Sequence, residues 1–159
     1  MAQTVYVETT IISYLTAWPS RDLIRAAQQQ QTREWWEKSR AQFQLVASEL
    51  VEREASAGDP TAAAERLKAM ADIQMLAITS AAEVLTDKII RKLNFSTRAQ
   101  PDALHVAVAA TNGIDYLLTW NCRHLTNAVL RPRIESVCRE NGYEPPILCT
   151  PPELMEVRP

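Results

Sequence analysis

The sequence has little glycine, few cysteines and no long run of apolar residues. Only three glycines occur in 159 residues, so there is no glycine-rich loop of the kind that surrounds phosphates in P-loop and Rossmann proteins. The three cysteines, Cys122, Cys138 and Cys149, are odd in number and widely spaced. With no recognisable signal peptide beside them, they predict free thiols in a reducing, cytoplasmic setting and argue against structural zinc.

An excess of basic charge is also missing. The formal net charge is -2 at pH 7 and the isoelectric point is near 5.7, which argues against a protein that holds nucleic acid by bulk positive charge. Any nucleic-acid partner would have to be bound locally. No stretch of about 18 apolar residues is present, so no membrane-spanning helix is predicted. The length and the hydrophobic content of 47% predict one domain, residues 1–159, with a substantial core.

The chain begins with a buried strand that is followed at once by a helix. Val5, Tyr6 and Val7 show no polar alternation, which is typical of a central parallel strand covered on both faces. Thr9 or Thr10 is expected to cap the next helix through its hydroxyl. Glu8 therefore lies at the carboxyl end of a strand, where open parallel sheets bind their ligands.

Strands and helices then alternate along the chain. Further strands are predicted at residues 43–47, 73–78, 116–119 and, at a sheet edge, 147–149. Helices are predicted at 21–41, 49–58, 61–71, 80–93, 101–111 and 131–141, and residues 120–124 are expected to turn into a further helical segment. The alternation predicts an α/β protein with three layers, α/β/α, around a mostly parallel sheet of four to five strands.

Polar residues near the predicted strand ends are the candidates for a functional site. After the second strand, Ser48 is expected to cap a helix that carries Glu49, Glu52 and Glu54, and spacing alone does not decide which of these acids faces the crevice. Asn121 follows a short strand in the way that Glu8 follows the first one.

The most apolar helix carries one acid and one histidine. Asp102 lies in its first turn, where an acid either complements the helix dipole or contributes to a site. His105 follows one turn later, and a lone histidine on an apolar helix is more often a packed, hydrogen-bonded core residue than a catalytic one. Cys122 and His124 could form a nucleophile and its base, but residues two apart point in different directions on a helix, which disfavours that pair.

Four segments carry a resemblance to a known family. They are Tyr-Val-Glu-Thr-Thr at residues 6–10, Ser-Glu-Leu-Val-Glu-Arg-Glu at 48–54, Pro-Asp-Ala-Leu-His-Val-Ala at 101–107 and Leu-Thr-Trp-Asn at 118–121. These segments resemble the PIN domain, most closely the VapC-type toxins of prokaryotic toxin-antitoxin pairs, and the resemblance covers essentially the whole chain. The first segment maps the family's first metal carboxylate onto Glu8. In the second, the family has an acid six residues after a strand-end Ser or Thr, which selects Glu54. The third segment, the most specific match, corresponds to Asp102, and the fourth corresponds to Asn121.

The resemblance implies a metal-dependent ribonuclease that is the toxin of a VapBC-type pair. It implies that Glu8, Glu54 and Asp102 bind Mg²⁺ or Mn²⁺ and that, together with Asn121, they are the catalytic residues. RNA is the implied substrate, and an antitoxin protein and a second copy of the chain are the implied partners. The residue types suit this chemistry, because phosphodiester hydrolysis needs a hard cation and carboxylates are the ligands that such a cation prefers.

Two positions depart from the family pattern, which usually has Asp at both. Glu8 is one methylene longer than Asp, and Asn121 carries no charge, so one bound metal and a slower enzyme are expected. Three neighbouring acids are also expected to raise at least one carboxyl pKa when no metal is bound. The alternative is a PIN-like domain that has lost catalysis and binds RNA or protein. A receiver-type signalling domain also uses strand-end acids, but no lysine follows the 117–119 strand nearby.

Overall fold

Five parallel strands form one sheet in the structure, a computed structural model that describes residues 2–156. The strands are β1 (Thr4–Val7), β2 (Gln44–Ser48), β3 (Gln74–Leu76), β4 (Tyr116–Leu118) and β5 (Ile147–Cys149). Their order is β3-β2-β1-β4-β5, and each neighbouring pair is parallel. The predicted α/β class is therefore confirmed, and the predicted edge strand at 147–149 is β5.

Helices connect the strands and pack in two groups. They are α1 (Thr9–Thr16), α2 (Leu23–Lys38), α3 (Glu49–Ala55), α4 (Pro60–Ala69), α5 (Ser80–Leu93), α6 (Gln100–Thr111) and α7 (Arg131–Glu140), with short 3-10 turns at Arg40–Gln42, Thr97–Ala99 and Pro151–Leu154. In one group α1 contacts α2, α3 and α4, and in the other α5 contacts α6 and α7. The two groups flank the sheet. Within residues 2–156 no helix has the length and apolar character needed to cross a membrane.

The first strand occupies the centre of the sheet. Val5, Tyr6 and Val7 are fully buried, and β1 pairs with β2 on one side and with β4 on the other. This confirms the central parallel strand that the unbroken apolar run predicts. The carboxyl end of β1 consequently lies in the middle of that edge of the sheet, between two other strand ends.

The starts of the first two helices differ from the predicted ones. Glu8, and not a threonine, is the N-cap of α1, because its side chain accepts a hydrogen bond from the backbone N–H of Thr10. The second helix begins at Leu23, where Asp22 is the cap, and is shorter at both ends than the predicted 21–41. The predicted cap of α3 by Ser48 is confirmed, since its hydroxyl accepts from a backbone N–H of the first turn.

Residues 120–124 turn out of β4 as the sequence predicts, but the helical segment expected next does not follow directly. The Asn121 side chain accepts a hydrogen bond from the backbone N–H of His124 at 3.0 Å, and its carbonyl oxygen accepts from Leu125 and Thr126. A side-chain oxygen that accepts from the N–H three residues on is typical of a helix N-cap, but here the chain makes one turn and does not continue as a helix. The next helix begins only at Arg131.

Candidate metal centre at the carboxyl edge of the sheet

Polar residues lie side by side where the three central strands end. In the register of β1 with β2 and β4, Ser48 and Thr119 lie level with Glu8, one on each side. All three residues are buried. Because β4 ends at Leu118, Asn121 lies two residues beyond this row, and the expectation that it repeats the position of Glu8 is corrected to Thr119.

Hydrogen bonds from α1 and from the end of β4 hold the carboxylate of Glu8. Its Oε1 accepts from the backbone N–H of Thr10 at 3.2 Å, from the Thr10 hydroxyl, and from the Thr119 hydroxyl at 2.6 Å. Its Oε2 makes no hydrogen bond, and since every fully buried side-chain N or O atom in residues 2–156 has a partner, this oxygen reaches solvent. The extra methylene of Glu8 therefore lets the side chain fold back over the start of α1 with one oxygen free.

Glu54 is the acid of α3 that reaches the same edge. Its Oε1 accepts from the Thr9 hydroxyl at 2.6 Å and lies 2.7 Å from Nε2 of His105. Its Oε2 makes no hydrogen bond with any described residue, and the side chain is 33% exposed. The other two acids of the helix point elsewhere: Glu49 accepts from a backbone N–H just beyond β3 at 3.4 Å, and Glu52 is exposed. The structure thus decides the choice that spacing left open.

His105 lies beneath both carboxylates and is 1% exposed. Its Nδ1 is 2.6 Å from the hydroxyl of Tyr6, and that hydroxyl is 2.7 Å from the hydroxyl of Ser48. Its Nε2 lies 3.9 Å from Oε2 of Glu8, and one potential ligand atom from each of Glu8, Glu54 and His105 lies within 4.8 Å of the others. The predicted packed, hydrogen-bonded histidine is confirmed, but its partner is a candidate site acid.

The surroundings of Glu54 favour its charged form. Burial by itself raises the pKa of this carboxyl, but the hydrogen bond and charge of His105, the Thr9 hydroxyl and the charge of Arg53 outweigh burial and lower the pKa below its usual value. The shift at Glu54 is therefore opposite to the increase that crowded acids were expected to cause. The reason is that the hydrogen bond and charge of the neighbouring histidine, with the other two groups, outweigh the effect of burial.

Asp102 and Asn121 meet each other through His124. Asp102 lies in the first turn of α6, is 18% exposed at its side chain, and its Oδ2 is 2.9 Å from Nδ1 of His124. The side-chain oxygen of Asn121 accepts a hydrogen bond from the backbone N–H of the same histidine. Among the described residues, Asp102 is not in the group whose ligand atoms lie within 4.8 Å of one another. Of the four predicted site residues, the structure brings Glu8 and Glu54 together directly and links the other two through a histidine.

Sequence reasoning did not assign the residues that hold the acids. His105 lies three residues after Asp102, so the two share a face of α6. The sequence therefore contained a signal that His105 belongs to the site. A histidine on an apolar helix is more often a packed core residue, and that interpretation was preferred. For Thr10 and Thr119 the signal was their place beside the strand-end motifs, and their bonds to Glu8 became visible only in three dimensions.

The cysteines take no part in this site. Cys138 and Cys149 are buried free thiols, and burial raises their pKa values to about 11 and about 12, so both remain protonated at neutral pH. Cys122 is a free, exposed thiol. Because Nδ1 of His124 is bonded to Asp102, the disfavoured pair of Cys122 with His124 finds no support in the structure.

The donor set fits a hard cation bound by oxygen. Mg²⁺ and Mn²⁺ prefer carboxylate and water oxygens, and Glu8 and Glu54 each present one carboxylate oxygen without a hydrogen bond. Nε2 of His105 faces an ionised carboxylate oxygen that can only accept, so this nitrogen carries a hydrogen and is not free to bind a metal. The two glutamates are therefore the residues of this group that suit a metal.

No family sequence model matches the chain, and no curated protein matches it by sequence. Similarity is found among solved structures. VapBC2 from Rickettsia felis, bound to a DNA fragment from its promoter, is 12% identical with a TM-score of 0.55, covering 93% of this chain and 98% of the other. FitAB bound to an IR36 DNA fragment is 11% identical with a TM-score of 0.56, covering 97% and 99%.

A third structure of this kind is VapC20 from Mycobacterium tuberculosis, described as a toxin that cleaves the sarcin-ricin loop. It is 16% identical with a TM-score of 0.51 and covers 98% of this chain and 99% of the other. The chain has a VapC-like PIN fold. The resemblance found in four sequence segments is thus confirmed as a similarity of fold, which extends over nearly the whole length of each chain.

Proposed function

We propose that the protein is a metal-dependent ribonuclease and the toxin of a VapBC-type pair. The observation that carries the proposal is the meeting of Glu8 and Glu54, from β1 and α3, at the carboxyl edge of a PIN-like sheet, each with one carboxylate oxygen free of hydrogen bonds. VapC20, which is similar in fold, is described as a toxin that cleaves an RNA loop. That description supports RNA as the substrate class.

Each residue has a distinct role in this proposal. Glu8, Glu54 and Asp102 would hold the cation. Oδ2 of Asp102 is bonded to His124, whereas its Oδ1 makes no hydrogen bond within residues 2–156. When bound, Mg²⁺ or Mn²⁺ lowers the pKa of water and neutralises charge on the phosphate. Thr119 keeps Glu8 in place by donating to its Oε1.

Asn121 acts on the geometry of the site in this proposal. Its side chain holds the turn that carries His124, and His124 is bonded to Asp102. An uncharged side chain suits this role, because a backbone N–H needs an acceptor and not a full negative charge. Its loss would loosen Asp102 without removing a ligand.

The proposal includes partners and a compartment. Two of the similar folds come from structures of VapBC2 and FitAB bound to DNA, which supports an antitoxin protein as a partner. We also propose a homodimer, which sedimentation of the purified protein would test. The three free thiols are compatible with the reducing cytoplasm, where RNA is available as a substrate.

RNA cleavage by matched variants tests the proposed activity. Wild type, Glu8→Gln, Glu54→Gln and Asp102→Asn are compared on a structured RNA in Mn²⁺, in Mg²⁺ and in EDTA. Each of the three variants is expected to lose about 100-fold or more in rate, since misplacing a reacting group by about 1 Å already costs that much. Glu52→Gln is the control, because it makes the same change on an exposed acid of the same helix. Equal cleavage by wild type and all three site variants would reject the site.

A PIN-like domain that binds without cleaving is the second candidate. The observation that favours it is that Oδ2 of Asp102 and the side-chain oxygen of Asn121 are already used in bonds to His124. Such a domain would bind RNA or a protein without a requirement for metal. Saturable Mn²⁺ binding that is clearly weakened in Glu54→Gln, together with metal-dependent RNA turnover, would exclude this candidate.

A further inference from the structure

A buried chain of hydrogen bonds leads from the sheet to one of the two glutamates. It runs from the hydroxyl of Ser48 to that of Tyr6 at 2.7 Å, from Tyr6 to Nδ1 of His105 at 2.6 Å, and from Nε2 of His105 to Oε1 of Glu54 at 2.7 Å. The first three residues are 0%, 0% and 1% exposed. The proposed hydrolysis assigns no role to any of them.

The hydrogens in this chain can be assigned from the chemistry of the groups. Oε1 of Glu54 belongs to a carboxylate and only accepts, so Nε2 of His105 carries a hydrogen. The hydroxyl of Tyr6 lies between the Ser48 hydroxyl and Nδ1 of His105, and a phenol keeps its hydrogen at neutral pH. In a neutral imidazole, Nδ1 then accepts from Tyr6, and Ser48 donates to Tyr6. In an imidazolium the Tyr6 bonds reverse, but Nε2 still donates to Glu54.

Glu54 needs a partner of this kind. It lies in the last turn of α3, a helix of seven residues, and its side chain is partly exposed, so a free carboxylate there would sample several rotamers. A Glu8 oxygen within 4.8 Å also repels it. The donor on α6 comes from a different element of the fold, and its ring is fixed on the far side by Tyr6.

We propose that His105 is a positioning residue for the metal site and not one of its ligands. Its Nε2–H holds Oε1 of Glu54, and this leaves Oε2 of Glu54 for the cation. Tyr6 fixes the imidazole so that the same nitrogen always donates. The inference rests on the proposed function, because the carboxylate that His105 holds is the one that would bind the cation. The hydrogen bond from His105 to Glu54, however, is present in the metal-free protein.

The test compares two substitutions of His105 by their affinity for Mn²⁺ in calorimetry. His105→Leu removes the donor and is expected to weaken binding by about 10-fold to 100-fold, the usual effect of losing a group that orients a metal ligand. His105→Gln places an amide N–H near the position of Nε2 and is expected to restore most of the affinity. In a Glu54→Gln background, His105→Leu is expected to cause little further loss.

Three results would overturn the inference. His105→Leu with wild-type affinity would show that the donor is unnecessary. Equal weakening by Leu and Gln would indicate a metal ligand or a purely structural residue. A further loss in the Glu54→Gln background as large as the loss in wild type would show that His105 does not act through Glu54.

A second measurement separates this inference from the proposed function. The carboxyl ¹³C resonance of Glu54 in the metal-free protein is expected to shift in His105→Leu and to stay near the wild-type position in His105→Gln. If wild type binds no Mn²⁺, the proposed function fails and this resonance alone decides the inference. Where circular dichroism shows that His105→Leu does not fold, Tyr6→Phe replaces it. That variant removes the partner of Nδ1 and is expected to shift the same resonance, whereas an unmoved resonance would overturn the inference.

Discussion

The meeting of Glu8 and Glu54 predicts that a divalent cation stabilises the folded protein. Their oxygens lie within 4.8 Å, and at that separation two unit charges repel each other by about 3 kcal/mol at an effective dielectric constant near 20. The true value is smaller, because Glu54 is one-third exposed and water screens it. A cation bound by both carboxylates would add two attractions that outweigh this repulsion, and only the folded chain brings the two carboxylates together.

The size of the effect follows from mass action. At a Mn²⁺ concentration 100 times the dissociation constant, the free energy of unfolding rises by about 2.7 kcal/mol. For a chain of this length, 1 kcal/mol raises Tm by about 2 to 4 °C, so an increase of roughly 5 to 11 °C is expected. The assay is thermal unfolding followed by circular dichroism, first in EDTA and then over a series of MnCl₂ concentrations.

Carboxylate-to-amide variants locate the source of the shift. Glu8→Gln and Glu54→Gln are expected to lose most of it, while Glu52→Gln is expected to keep all of it, because Glu52 is exposed on the same helix. Asp102→Asn is expected to lose part of the increase in Tm, because Asp102 is the third predicted ligand. The reasoning is refuted if wild type shows no shift at millimolar Mn²⁺, or if Glu52→Gln loses as much as Glu54→Gln.

Three further predictions concern the bonds that shape the fold. Thr119→Val removes a buried donor to Glu8 and should cost about 1 to 3 kcal/mol in urea unfolding, whereas Thr119→Ser should cost clearly less; equal losses would contradict this. The pKa of Glu153 is lowered because, although burial raises it, hydrogen bonds from Thr150 outweigh burial. Its stabilisation is therefore present above pH 4.5 and is lost progressively as the pH falls below that value. Because the side chain is 48% exposed and water screens it, Glu153→Gln should remove only about 0.5 to 1 kcal/mol at pH 7, and less at each lower pH below 4.5; a loss that does not change with pH would refute it. Asn94 ends α5 with a φ of 54°, so Asn94→Ala should cost about 1 kcal/mol while Asn94→Gly stays near wild type, and the reverse order of stabilities would be inconsistent with this role.

Local sequence determined most of the secondary structure. The unbroken apolar run at Val5, Tyr6 and Val7 led correctly to a central parallel strand, because burial on both faces requires that composition. The cap at Ser48 was also predictable, since the bond lies within one turn. The turn at residues 120–124 was also predictable, but the helical segment expected directly after it does not follow, and the next helix begins only at Arg131.

Only the tertiary structure decided how the candidate site is assembled. Glu54 is distinguished from its two neighbouring acids by His105, which is 51 residues away in the chain, and Asp102 is bonded to His124 across 22 residues. Such pairs depend on the register of the strands and on where α6 packs. Neither the register nor the packing can be predicted from the spacing of residues along the chain. The sequence by itself thus determined which residue types lie at the strand ends, whereas the packing of separate elements decided that Glu8 and Glu54 meet and that each is held by groups from elsewhere in the fold.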